Sequence, residues 1–161
     1  MRQSGENISE HISFIEATKS ATAKRNDFEN LPNEKQLANM KKLAEAIFEP
    51  LRKGLGGFSI NIASFFRSFL LNVLIGGAEG SQHLCDKGAA FDLDVDGSKH
   101  LYNYQIFNFI KDHLEFDQLI WEFGNKYNPD WVHVSFNEGK NRGQILVAYK
   151  ENGRTKYKTY V

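Results

Sequence analysis

The sequence predicts an α+β fold: a single domain over residues 1–161, with an antiparallel sheet covered on one side by helices. Three observations predict it. Helical spacing dominates the first third of the chain, strand alternation clusters after residue 115, and no linker, repeat or low-complexity tract separates them. A chain of 161 residues is long enough to bury one real core.

The elements follow in order. Ser13, with Glu16 three residues on, reads as a capping box, so a helix is expected over "FIEATKSATAKR". "NLPNEKQ" is a turn, with Asn33 capping a second helix. Leu37, Met40, Ala44, Ile47 and Leu51 give that helix one apolar stripe, and Pro50 is expected to bend or end it. "GLGG" breaks the chain before a short strand, "FSINIAS". A short helix, "FLLNVL", closes at Gly76 and Gly77. "AAFDLDV" alternates: Phe91, Leu93 and Val95 share one face, Ala90, Asp92 and Asp94 the other. "YNYQIFNFIKDHL" is helical, with Ile106, Phe107, Ile110 and Leu114 inward. Three strands follow, "DQLIWEF", "WVHVSF" and "GQILVAYK". An Asn-Gly turn in "KENGRTKYKTY" then makes a hairpin.

Composition removes several function classes. Formal net charge is zero, so nothing steers the chain to nucleic acid. The single cysteine, Cys85, excludes an internal disulfide and a four-cysteine zinc site. The longest apolar run, "IASFFRSFLLNVLIGGA", is interrupted by Arg67 and too short to span a membrane. The polar start "MRQSGENISEHISF" lacks the apolar run of a secretory signal.

One constellation carries chemistry. In "WVHVSF", Val132, Val134 and Phe136 must face the core, which turns Trp131, His133 and Ser135 to the other side. Asp92 also sits opposite the core face of its strand. If the two strands are neighbours, Asp92 and His133 converge, and His83 arrives from the preceding loop. Two histidines and a carboxylate are the ligand set of a catalytic zinc site, with the fourth position left for water. The metal brings that water's pKa from about 16 to roughly 7. Taken singly, each histidine also reads as an ordinary surface or hydrogen-bonded residue, and "DVDG" as a plain turn.

The segments "FFRSFLLNVLIGGAEGSQHL", "KGAAFDLDV", "FDQLIWEF" and "NPDWVHVSF" together resemble the M15 peptidases, the zinc D-Ala-D-Ala carboxypeptidase and endolysin family, and its small phage-type branch in particular. Ser81, His83, Gly88, Ala90 and Asp92 fill the family's first motif, Trp131 and His133 its second. The resemblance runs from about Ile8 to Ala148. It implies a fold like that of DD-peptidases and hedgehog domains, a Zn2+ cofactor, and His83, Asp92 and His133 as ligands. It implies that Arg67 holds a substrate carbonyl or carboxylate, and that Ser81 and Trp131 lie on the substrate side. It implies a general base, an Asp or Glu commonly three residues before the last histidine, where Asp130 stands. Glu122, on the strand face shared with Gln118 and Ile120, competes for that role; Asp130 is preferred.

One departure stands out. Four residues, Leu84 to Lys87, separate His83 from Gly88, where the family has two. The loop is expected to bulge, with Cys85 and Asp86 as the insertion. The resemblance implies a zinc peptidase, acting as a monomer, that cuts peptide bonds of bacterial peptidoglycan. Without a signal peptide, it would be made in the cytoplasm and act on the wall after release, from phage or bacterium. A zinc-containing wall- or protein-binding module without catalysis is the alternative. His11, His100 and His113 match no motif. Trp121 is expected to pack inward, and the basic hairpin Lys150–Lys158 to be solvated.

Overall fold

The computed structural model describes residues 6–161, so the start of the N-terminal stretch read for a leader, residues 1–5, lies outside the described residues. Helices begin where short polar side chains cap them. Ser13 Oγ accepts the Glu16 amide at 3.1 Å, and Asn33 and Gln36 form a reciprocal capping box at 2.9 and 2.8 Å. The expected first helix is two, α1 (Phe14–Thr18) and α2 (Ala21–Arg25). The chain extends at Lys19, and Ser20 caps the second segment through the Ala23 amide.

Pro50 does not end the next helix. It runs as α3 (Glu34–Leu43), a π-helical turn (Ala44–Phe48) and α4 (Glu49–Gly54). The widened turn, with the Glu49 amide reaching back to the Ala44 carbonyl, sits just before Pro50. The proline's missing donor thus falls where the regular ladder is already interrupted. The short helices α5 (Phe69–Leu74) and α6 (Asn103–His113) agree with the sequence reading.

Six strands form one sheet: β1 (Ile62–Ser64), β2 (Ala89–Leu93), β3 (Gln118–Glu122), β4 (Trp131–Phe136), β5 (Gln144–Glu151) and β6 (Arg154–Thr159). Their order is β1-β2-β4-β3-β5-β6. The sheet is mixed rather than purely antiparallel, because β3 and β5 pair in parallel. The reason is topological. β4 is flanked by β2 and β3, so β5 takes the free edge of β3 and runs in the same direction. The Asn152-Gly153 turn has positive φ at both residues, 53° and 74°, the type I′ geometry that a two-residue hairpin favours.

One face of the sheet is the core. Phe91, Leu93, Leu119, Trp121, Val132 and Val134 pack with Met40, Leu43, Ile47, Phe48, Phe107 and Ile110 from the helices. Phe107 meets Trp121 edge-on at 5.1 Å. Helices α3, α4 and α6 supply the core on this face, and the opposite face builds a site.

Asp117, 2 % exposed, fastens the crossing from β4 to β5. Its carboxylate accepts from the Arg142 amide, Nε and Nη2 at 2.9, 3.0 and 2.8 Å, and from Gln82 Nε2 at 2.8 Å. The hydrogen bond from the Arg142 side chain holds its pKa below the usual value against burial. Arg142 is more than half exposed, so without its partner it rehydrates; the cost is lost charge-assisted hydrogen bonds rather than a stranded buried charge. Asp117→Asn is expected to cost about 2 kcal/mol in urea unfolding at pH 7. The contribution is present above the unfolded-state pKa and lost as pH falls, so the deficit should shrink below about pH 4.

Candidate metal centre and its cavity

His83 rides on a single 3-10 turn, Gln82–Leu84, capped by Ser81, whose Oγ accepts the His83 amide at 3.3 Å. The imidazole is 3 % exposed. Its Nδ1 lies 2.8 Å from the Phe65 carbonyl oxygen. A carbonyl can only accept, so Nδ1 carries a proton and Nε2 is the nitrogen turned to the site. That Nε2 is 3.4 Å from Asp92 Oδ1. Asp92 on β2 and His133 on β4 are directly opposite in the antiparallel ladder, and His133 Nδ1 is 2.9 Å from the same Oδ1. Ligand atoms from all three residues lie within 4.8 Å of one another.

This set fits a zinc ion. Tetrahedral ligands at about 2.0–2.1 Å from zinc stand roughly 3.3 Å apart, close to the two separations from Oδ1. The Phe65 carbonyl behind His83 is the outer hydrogen bond that ligating histidines need to fix tautomer and ring plane. Burial works to raise the Asp92 pKa, yet the adjacent His83 and hydrogen bonds from His133 and His83 hold it well below the usual carboxylate range. The carboxyl is therefore ionised and ready to ligate.

Arg67 follows β1. Its amide donates to the His83 carbonyl at 2.9 Å, and its Nη2 lies 3.7 Å from Asp92 Oδ2. Burial lowers its pKa and Asp92 opposes the shift. Asn30, 6 % exposed, pins both neighbours of Arg67: its Nδ2 donates to the Phe66 and Thr18 carbonyls at 2.9 Å, and its Oδ1 accepts the Ser68 amide at 2.7 Å.

The two carboxylates weighed as general base part company. Glu122 faces the cavity, in register with Trp131, and is buried. Burial pushes its pKa up to about 7, with His133 opposing and Asp92 adding to the rise. Asp130 is exposed and lines a separate cavity behind the strand edge, with Trp121, Phe123 and Tyr160. Its amide donates to the Glu122 carbonyl at 2.9 Å, just before β4 begins at Trp131. The geometry thus favours Glu122, reversing the preference from motif spacing.

The cavity around His83, Asp92 and His133 measures about 780 Å³. Arg67, Ser81, His83, Asp92, Glu122, Trp131 and His133 all line it. Cations Arg142 and Lys150 and the phenol of Tyr157 complete its far wall.

The Leu84–Lys87 insertion does not dislodge His83. Cys85 takes a left-handed conformation (φ 59°) and tucks its side chain into the core, while its carbonyl accepts from Asn39. Asp86 turns outward to Gln36. Burial pushes the Cys85 thiol up to about 12, which leaves it a poor metal ligand. Glu10, His11 and Glu49 form another group close enough to hold an ion, but His11 gives both its amide and its ring to the Glu49 carboxylate. That pair is a clamp between the N-terminal segment and α4. His100 stacks on Phe58 and His113 packs on Phe109.

The Peptidase M15 family model matches residues 9–135, most of the chain. The chain belongs to the peptidase M15 family. It is therefore a peptidase, of a family that is generally zinc-dependent. Among curated proteins no match was found. The matched span holds His83, Asp92, His133, Arg67 and Glu122. It ends before β5 and β6, so the wall formed by Arg142, Lys150 and Tyr157 lies outside it.

Proposed function

We propose that this M15 peptidase is a zinc-dependent enzyme that hydrolyses peptide bonds of bacterial peptidoglycan, as a DD-carboxypeptidase or endopeptidase of the phage-lysin type. The observation that carries the reading is the meeting of His83, Asp92 and His133 with Arg67 and Glu122 in one cavity. A binding module needs the ligands alone; a buried carboxyl with its pKa near neutrality beside them is what proton transfer requires. The likeness to the small phage-type branch supports the wall substrate, and the cations lining the cavity suit a peptide bearing carboxylates.

His83, Asp92 and His133 would hold zinc, which when bound supplies a Lewis acid and makes water nucleophilic near neutral pH. Ionised Glu122 takes the proton of the attacking water and returns it to the leaving amine. Arg67 offers its guanidinium to the carbonyl oxygen as that oxygen turns negative. Trp131 forms part of the floor beside Glu122 on which the peptide lies. Action as a monomer, on the wall after release, belongs to the same proposal; no helix among the described residues is long and apolar enough to cross a membrane.

The test is mass spectrometry of purified peptidoglycan incubated with zinc-loaded and with chelator-treated protein. New peptide fragments are expected only with zinc, and their masses name the bond. No fragments from several wall chemistries, with zinc demonstrably bound, would overturn the reading in favour of a binding module.

A further inference from the structure

The final strand alternates with a meaning of its own. In "RTKYKT", Thr155, Tyr157 and Thr159 share one side, and Arg154, Lys156 and Lys158 share the other. The register carries the hydroxyl side onto the metal face. Trp131 pairs with Glu122, Glu122 with Ala148, and Ala148 with Tyr157, so these four form one row across the sheet. Two strand spacings, about 10 Å, separate the backbones at Glu122 and Tyr157. Ala148, which lies between them in the row, carries only a methyl group. Tyr157 and Glu122 line the same cavity, and Tyr157 keeps half its surface open to it and to solvent.

Resting on the peptidase reading, we propose that Tyr157 is a further catalytic residue, whose phenol donates a hydrogen bond to the scissile carbonyl oxygen from the side of the cavity opposite Arg67. Arg67 stands beside Asp92 on the β2 side; Tyr157 closes the β6 side, with Glu122 between them. A peptide laid across the row meets a donor on each flank. The phenol keeps its own proton throughout: the water's proton goes to Glu122 and then to the amine, the new bond is carbon to water oxygen, and the bond broken is carbon to nitrogen. Burial, then the nearby Glu122 and Asp92, push the Tyr157 pKa up, which keeps the donor protonated across the neutral range. A donor that acts on developing charge strengthens the transition state more than the bound peptide.

Tyr157→Phe removes one oxygen from a half-exposed ring, so the fold is not at risk. Wild type and variant are compared on a soluble wall peptide that wild type cleaves, with zinc content and thermal midpoint measured in parallel. Peptide affinity is measured separately on a Glu122→Gln background, where no turnover interferes. The expected result is a fall in kcat of about 100-fold, with zinc content, midpoint and peptide affinity within twofold of their controls. An unchanged kcat, or a loss confined to KM and affinity, would overturn the catalytic role of Tyr157 and leave the peptidase reading intact. No cleavage by zinc-loaded wild type would overturn both.

Discussion

Glu122→Gln is expected to abolish hydrolysis while making the metal-free protein more stable. The activity loss follows from the role: a positioned general base contributes roughly a hundred- to ten-thousand-fold. The stability gain follows from the pKa. Glu122 is buried and burial pushes its pKa up to about 7 in the fold, against 4.5 for an ordinary glutamate. A carboxyl whose folded pKa is raised favours the folded state fully below the unfolded value and loses that advantage as pH rises through the folded one. The wild-type protein therefore carries a growing cost between about pH 4.5 and pH 7, reaching about 3 kcal/mol above it. Glutamine carries no such cost. Chelated wild type and variant should unfold at similar urea concentrations at pH 4.5, and the variant should be the more stable at pH 8. Its zinc content should be unchanged, because Glu122 is not a ligand. A variant that retains turnover would remove Glu122 from the mechanism.

Asp92→Asn is expected to abolish the same activity by the opposite physics. Its carboxylate is held ionised by His83, His133 and Arg67, and each of these is largely buried. Neutralising it leaves the Arg67 guanidinium, 19 % exposed, without its partner. Breaking such a pair costs about 3 kcal/mol. The sign is that of a depressed pKa: the stabilisation is present above the unfolded value near 4 and is lost as pH falls below it. The chelated variant should thus be less stable than wild type at pH 7, with the gap closing on acidification, and zinc uptake by inductively coupled plasma analysis should fail. Two carboxyls on one sheet face therefore answer the same kind of substitution with opposite changes in stability.

How far the site was legible depends on the kind of signal. Strand alternation in "WVHVSF" and "AAFDLDV" placed His133 and Asp92 on the non-core face, and their pairing followed once the strands were neighbours. The Asn-Gly turn and the Asn33 cap are short-range chemistry and were equally readable. The choice between the two candidate bases was harder, because motif spacing and the fold disagree. Spacing points to Asp130, which precedes β4, so alternation gives it no direction; the fold lines the cavity around His83, Asp92 and His133 with Glu122 and a separate cavity with Asp130. The mixed sheet was not legible, since nothing local in "GQILVAYK" says which strand edge is free. Asn30 and Asp117 were also missed. Each is a lone polar residue in a loop whose partners lie tens of residues away, and no periodicity announces such a bond.

The insertion that seemed to threaten His83 has left the chain with an internal reporter. Its only thiol lies fully buried two residues beyond His83, and its Sγ sits 3.4 Å from the His83 carbonyl. A sulfhydryl reagent reaches it only after the His83 turn has lifted or the whole domain has opened. The rate of alkylation therefore measures the free energy of that opening. It does so at the edge of the centre, without any label being added to the chain.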